Sequence, residues 1–170
     1  GWTGRKTEEE RAQEWKTGKV RGKGFAMLQK APAMPSNTAS SAIIQMTGDA
    51  HFRIMIGAID IGQGANTVIA QMAAQELDVP MEKIEVVDTV STQTNPYDWN
   101  TVASKFTFMG GNAIVMACRD LIRQMKEVSA QILRTIPENL AHGGGYIYHV
   151  HNPERRISYE SLSLGYAYEN

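Results

Sequence analysis

A glycine-bracketed turn, Asp60-Ile61-Gly62-Gln63-Gly64, stands between a strand-like run at 52–56 and an amphipathic helical run at 68–77. Glycines at such a junction let backbone N–H groups approach an anion, and the start of the following helix favours negative charge there. The turn therefore reads as a seat for a phosphate-bearing ligand. Asp88 closes the next strand-like run 26 residues after Gly62, near where an acidic residue meets a ribose hydroxyl in dinucleotide sites. Against that reading, Thr67 stands where a third glycine belongs. Residues 52–56 also read as the second arm of a hairpin rather than the first strand of a parallel unit. A lone Gly-x-Gly equally fits a tight turn that binds nothing.

The second chemically distinctive segment runs over 89–103, rich in hydroxyl and amide side chains and ending in Thr101-Val102-Ala103-Ser104. Connections of about fifteen residues without periodicity are long for a compact domain and are usually functional or disordered. Tyr97 and Trp99 in it could stack on a ligand or pin the loop to the core. Other candidates are weaker. His149 and His151 share a strand face but lack a third ligand at metal-binding spacing. Cys118 lies on a helical apolar stripe and reads as a small core residue rather than a nucleophile. No Ser/His/Asp order and no isolated carboxylate pair stands out.

The elements that must position these segments are legible from periodicity. Residues 6–17 are polar, a solvated lead-in or a frayed helix. Residues 20–29 alternate weakly and suggest an edge strand, and the prolines of Ala31-Pro32-Ala33-Met34-Pro35 break regular structure. Ala42, Ile44 and Met46 alternate with polar or outward positions, as do Phe52, Ile54 and Ile56. With Thr47-Gly48-Asp49-Ala50 between them, they predict a β-hairpin. Val68, Ile69, Met72, Ala73 and Leu77 form a helical stripe, 83–88 the next strand, and Ile114, Cys118, Leu121, Met125, Val128 and Ile132 the stripe of a long helix. Residues 144–150 and 156–159 predict a second strand pair around Asn152-Pro153. The order is ββαβ, loop, α, ββ, an α+β fold of two layers with helices on one face of a mixed sheet. Its expected division is a polar lead-in over 1–20 and a domain over 21–170. Both chemical segments follow strand ends, so they could face one crevice.

The totals narrow the class. The 170 residues can bury a real core, and a net charge of −1 offers nothing to attract nucleic acid or an anionic membrane. A single cysteine excludes an internal disulfide and suits a reducing, cytoplasmic setting, and no apolar run approaches a membrane span.

Taken together the segments resemble the molybdopterin-binding large subunit of the xanthine dehydrogenase/aldehyde oxidase family of molybdenum hydroxylases. The resemblance is carried by Gly22-Lys23-Gly24-Phe25-Ala26, Lys30-Ala31-Pro32-Ala33-Met34-Pro35, Asp60-Ile61-Gly62-Gln63-Gly64, Pro96-Tyr97-Asp98-Trp99-Asn100-Thr101-Val102-Ala103-Ser104 and Gly111-Asn112-Ala113. Asn152-Pro153-Glu154-Arg155 and Gly165-Tyr166-Ala167-Tyr168 fit its bacterial branch. It covers roughly residues 18–170, and the turn and loop in combination are more specific than either alone. It implies that Gly62, Gln63 and Gly64 contact a molybdenum pyranopterin, as mononucleotide or cytosine dinucleotide. Thr101, Val102, Ala103 and Ser104 would supply further contacts, and the Ala103 backbone would lie nearest the metal without being a side-chain ligand. The metal would be held by pterin sulfurs, so no Cys/His cluster is required. The implied chemistry is hydroxylation of an aldehyde or N-heterocycle with oxygen from water. Iron–sulfur and FAD centres would sit on partner subunits or domains. The chain looks like a middle slice of such a subunit, without the glutamate base and not expected to turn over alone. Phe106 departs from the pattern, standing where a small hydroxyl residue can occur. A nicotinamide-nucleotide module using the same turn, and a structural or assembly domain with an empty site, remain the alternatives.

Overall fold

The computed structural model describes residues 5–22, 24–29 and 38–165. The motif stretch 30–35, Lys23 and the terminal 166–168 lie outside the described residues. The chain forms two compact units, Gly1–Met34 and Pro35–Asn170; the polarity of the sequence changes earlier, near residue 20.

The first unit holds helix α1, Glu8–Thr17, which buries no side chain. It forms because its ends are satisfied locally. Thr7 Oγ1 accepts from the Glu10 N–H, the Glu10 carboxylate accepts from the Thr7 N–H, and Gly18 closes the helix at φ 67°. The edge strand expected over 20–29 is not observed: residues 20–22 and 24–29 have no regular structure, and Val20, Phe25, Met27 and Leu28 are largely exposed. Weak alternation does not make a strand without a neighbouring edge to pair with.

In the second unit, β1 (Ala42–Met46) and β2 (Phe52–Ile56) form the expected antiparallel hairpin, with Ala42 opposite Ile56 and Met46 opposite Phe52. Phe52, Ile54 and Ile56 are buried while Arg53 between them is exposed, so helices cover one face. Helix α2 (Ala65–Leu77) lays Ala65, Ile69, Ala73 and Leu77 on that face. Strand β3 (Ile84–Val86) then pairs parallel with β2. Here the sequence reading is corrected: β2 is the second arm of a hairpin and also the first strand of a parallel β2-α2-β3 unit. The hairpin takes one edge of β2 and leaves the other free for β3.

Helix α3 (Gly111–Ile132) continues a π-helical turn, Phe106–Gly110. Its buried line is Ile114, Cys118, Ile122, Met125 and Ser129, while Val128, expected inside, is 43% exposed. The stripe drifts around the helix because 3.6 residues per turn do not divide the 4-3 spacing evenly. Gly110 and Gly111 permit close packing at its start: a Cβ on Gly111 would stand 2.6 Å from Met72 Cε, and one on Gly110 would stand 3.2 Å from Ile56 Cδ1.

A second sheet has three antiparallel strands rather than a pair, β4 (Leu140–Gly143), β5 (Tyr146–His149) and β6 (Asn152–Ser158). Its turns fall at Gly144-Gly145, both with positive φ, and at Val150-His151, two residues before the expected Asn152-Pro153. Pro153 is tolerated because β6 is an edge strand. Residue 159 leaves the strand to begin α4 (Tyr159–Ser163). Leu140, Ile147 and Ile157 join the same core as β2, α2 and α3. Tyr159 stands edge-on to Phe52 and donates to the Leu77 carbonyl at 3.2 Å. The fold class is α+β, with the mixed sheet β1-β2-β3 under two helices and a second small sheet beside them.

Candidate cofactor-binding site

The turn at 57–64 connects β2 to α2, at the carboxyl ends of the parallel pair β2 and β3. A cleft of about 320 Å³ opens there, lined by Ala58, Ile59, Asp60, Asn66, Val87, Asp88 and Val90. Such strand ends are where α/β units place ligands. Two larger clefts flank α1 in the first unit, around Lys6, Glu14 and Trp15, and a third of about 520 Å³ lies between Ser40 and the start of α3, lined by Phe108, Asn112, Ala113 and Met116; none of them is lined by residues 60–64 or 101–104.

Within the turn, the expected anion is already supplied by the chain. The Asp60 carboxylate accepts from the N–H groups of Gly62 at 2.8 Å, Gly64 at 3.3 Å and Asn66 at 3.1 Å. The Asn66 and Gly62 N–H groups hold its carboxyl below the usual carboxylate range. Gly64 is the N-cap of α2 at φ 79° and has no capping side chain of its own. Asp60 takes that role from outside the helix, neutralising its positive end. The generic phosphate cradle is thereby corrected: its seat holds Asp60. The sequence signal was the Asp-x-Gly-x-Gly spacing, since an Asx side chain readily binds backbone N–H groups two residues on.

Among the described residues the carboxamide NH2 of Gln63 has no hydrogen-bond partner. Its Oε1 accepts from the Ile61 N–H at 2.7 Å, which leaves the exposed carboxamide NH2 to donate outward. Gly62 (φ 101°) and Gly64 would each carry a Cβ into open space, with nothing within 4 Å, so the outer side of the turn has room for a bulky group.

The loop after β3 is ordered by its own side chains. Asn95 Oδ1 accepts from the Ser91 N–H at 2.9 Å, and Asn95 Nδ2 donates to the Ile56 carbonyl at 3.0 Å. Gly57 is required beside it, because a Cβ there would lie 2.3 Å from the Pro96 carbonyl oxygen. The backbone at Ser40 bridges Asp98, while Tyr97 remains 57% exposed. Thr101 joins the two segments: its Oγ1 donates to the Ile59 carbonyl at 3.0 Å and accepts from the Ile59 N–H at 3.1 Å. Beyond it, Ala103 (φ 47°) and Ser104 (φ 63°) are consecutive exposed residues in left-handed backbone. Outliers of this kind gather at ligand clamps and active sites. Phe106 is buried in the core as the first residue of the π-helical turn.

The structure thus brings the 57–64 turn and the 101–104 segment together through Ile59 and Thr101. His149 and His151 instead face each other across the β5–β6 turn, ring centroids 5.9 Å apart. Among the described residues no group of three or more His, Cys, Asp or Glu is placed to hold a metal ion. Apart from the Asp60 and Asp88 carboxylates of the cleft, what the turn and the 101–104 segment offer is neutral: a carboxamide, an exposed hydroxyl, left-handed backbone and open space beside glycines. That donor set fits a large organic group that carries its own metal ligands.

Comparison with known proteins defines the class. The model of the molybdopterin cofactor-binding domain matches residues 1–169. The chain belongs to this family, that of the molybdenum-binding large subunits of xanthine dehydrogenase and aldehyde oxidase. It is 30% identical over 118 residues to the xanthine dehydrogenase molybdenum-binding subunit of Escherichia coli O157:H7, which covers 69% of this chain and 16% of the relative. It is 33% identical over 92 residues to aldehyde oxidase 3 of Mus musculus, 54% of this chain and 7% of that one. The structure of reconstituted CO dehydrogenase from Oligotropha carboxidovorans superposes with a TM-score of 0.69 at 25% identity, over 75% of this chain and 16% of that one. The chain therefore spans about a sixth or less of these relatives. Among the described residues no helix is long and apolar enough to cross a membrane.

Proposed function

We propose that Gln63, with Gly62 and Gly64 at its sides and the 101–104 segment nearby, forms part of the molybdopterin site of a molybdenum hydroxylase. The observation that carries this reading is the carboxamide NH2 of Gln63, unpartnered among the described residues, on a turn whose Gly62 and Gly64 N–H groups are taken by Asp60. When bound, the molybdopterin supplies a redox metal centre for hydroxylating an aldehyde or N-heterocyclic substrate with oxygen from water. The chain's own residues bind and orient it. Gln63 donates a neutral hydrogen bond, Gly62 and Gly64 provide clearance rather than N–H donors, and Val102, Ala103 and Ser104 present backbone and one hydroxyl. Thr101 fixes the distance between the two segments through Ile59, and the Ala103 backbone would be the part of the chain nearest the metal when the cofactor is bound. The complete enzyme would be cytoplasmic and pass electrons to iron–sulfur and FAD partners.

A nicotinamide-nucleotide module gains support from the parallel β2-α2-β3 unit and Asp88, but Asp60 weighs against it. A pyrophosphate at the start of α2 would meet a carboxylate holding the N–H groups it needs.

The test is made in the complete subunit with Gln63→Ala and Ala103→Glu, measuring molybdenum per chain and the fluorescence of oxidised, released pterin. Both should fall several-fold in each variant. Wild-type content and turnover in both would overturn the site assignment. A shift of thermal midpoint with NAD in a subunit lacking pterin would favour the nucleotide reading.

A further inference from the structure

We infer that Lys105 is a positioning residue for the 101–104 segment, a role that rests on the cofactor reading above. Its ammonium lies 2.6 Å from Asp98 Oδ1 and 2.9 Å from Ser40 Oγ, and Ser40 Oγ lies 2.5 Å from Asp98 Oδ2. The three groups close a triangle, with the side chains of Lys105 and Asp98 1% and 0% exposed. Residues 99–104 are therefore strung between the two ends of one buried ion pair.

The segment needs such a constraint. Left-handed backbone is unfavourable for any residue with a Cβ, and two in succession persist only where the surroundings impose them. Ala103 and Ser104 are exposed, so packing on their own side chains does not impose it. The constraint comes from the flanks. Thr101 is clamped to Ile59 on one side, and on the other the Lys105 N–H donates to the Val102 carbonyl at 2.9 Å while its side chain is clasped by Asp98 and Ser40. A buried ion pair is a weak source of stability compared with apolar residues of similar size, but its hydrogen bonds are directional. An apolar pair would fill the same space without dictating where residues 101–104 point.

The experiment separates positioning from stability in the complete holoenzyme. Lys105→Met combined with Asp98→Leu replaces the pair by apolar side chains, Lys105→Arg keeps the charge, and Ser40→Ala trims one corner. Each is assayed for thermal midpoint, amide hydrogen exchange at 101–104, and pterin per chain. The double variant should melt within a few degrees of wild type, exchange at least tenfold faster at 101–104, and retain less than half the pterin; Lys105→Arg should restore both readouts. Ser40→Ala should speed exchange at 101–104 without moving the midpoint. Wild-type exchange or wild-type pterin content in the folded double variant would overturn the proposal. So would an unfolded double variant together with unchanged exchange in Ser40→Ala, which would leave the pair a purely structural clasp. Gln63→Ala is the control for the underlying reading. Full pterin content there would remove the cofactor site, while exchange at 101–104 would still decide whether Lys105 shapes the segment.

Discussion

The side chain of Thr101 bonds to both backbone groups of Ile59, donating to its carbonyl and accepting from its N–H across 42 residues of sequence. One hydroxyl thus splices the loop after β3 to the turn before α2. Thr101→Val keeps the shape and removes both bonds. It is expected to cost about 1 kcal/mol, since Ile59 is half exposed and water can replace part of the loss. Pterin content should fall by more than that change in stability explains. Thr101→Ser should retain both, as measured by thermal melts and pterin release on the complete subunit.

Gly57→Ala would set a Cβ 2.3 Å from the Pro96 carbonyl oxygen, backbone that cannot swing aside as a side chain can. A destabilisation of about 3 kcal/mol is expected, with the loop displaced. Chemical denaturation reads it directly.

The acid end of the stability curve should carry a signature of Asp60. Its carboxyl is depressed in the fold below its unfolded value of about 4. The stabilisation is therefore fully present above the unfolded value and is lost as pH falls through the folded one. Asp49, held down to about 2 chiefly by the Thr47 hydroxyl, contributes to the same limb. Comparing Asp60→Asn with wild type cancels that share. The midpoint difference should be largest near neutral pH and shrink below about pH 4.

Cys118 should be inert in the native state. It is fully buried, and burial, aided by the Glu76 charge, pushes its thiol up to about 12. A disulfide reagent at pH 8 should label no thiol in the folded protein and one per chain in denaturant.

Ser129 is fully buried on α3, and its hydroxyl finds no hydrogen-bond partner among the described residues. Ser129→Ala should stabilise by about 1 kcal/mol, because it removes an unpaired polar group and improves helix propensity. Equilibrium unfolding gives the sign.

Much of this was legible because it is local. The hairpin, the two amphipathic helices and the Gly-Gln-Gly turn are each written within a few turns of chain. Their boundaries moved only where tertiary contacts intervened, as when Val128 yielded its buried place to Ser129. The strand expected over 20–29 is the converse case, a weak local alternation that no strand among the described residues pairs with. Asp60 belongs to the motif, yet its grip on the turn's N–H groups depends on a fold of the turn that the motif alone does not specify. The Lys105 clasp is equally invisible in the sequence, for Ser40 meets Asp98 from 58 residues away.

By itself, the sequence determined the family, the α+β alternation and the two segments that could meet a cofactor, because residue type and short-range spacing encode turns, periodicity and motif. Only the tertiary structure decided what those segments have left to give. It placed a carboxylate where a phosphate was expected in the Gly62-Gln63-Gly64 turn and left the Gln63 amide as its outward donor. It also tied Thr101 to Ile59 and Lys105 to Asp98. A hydrogen-bond donor binds one acceptor at a time, and which acceptor it finds depends on distances that only the folded chain sets.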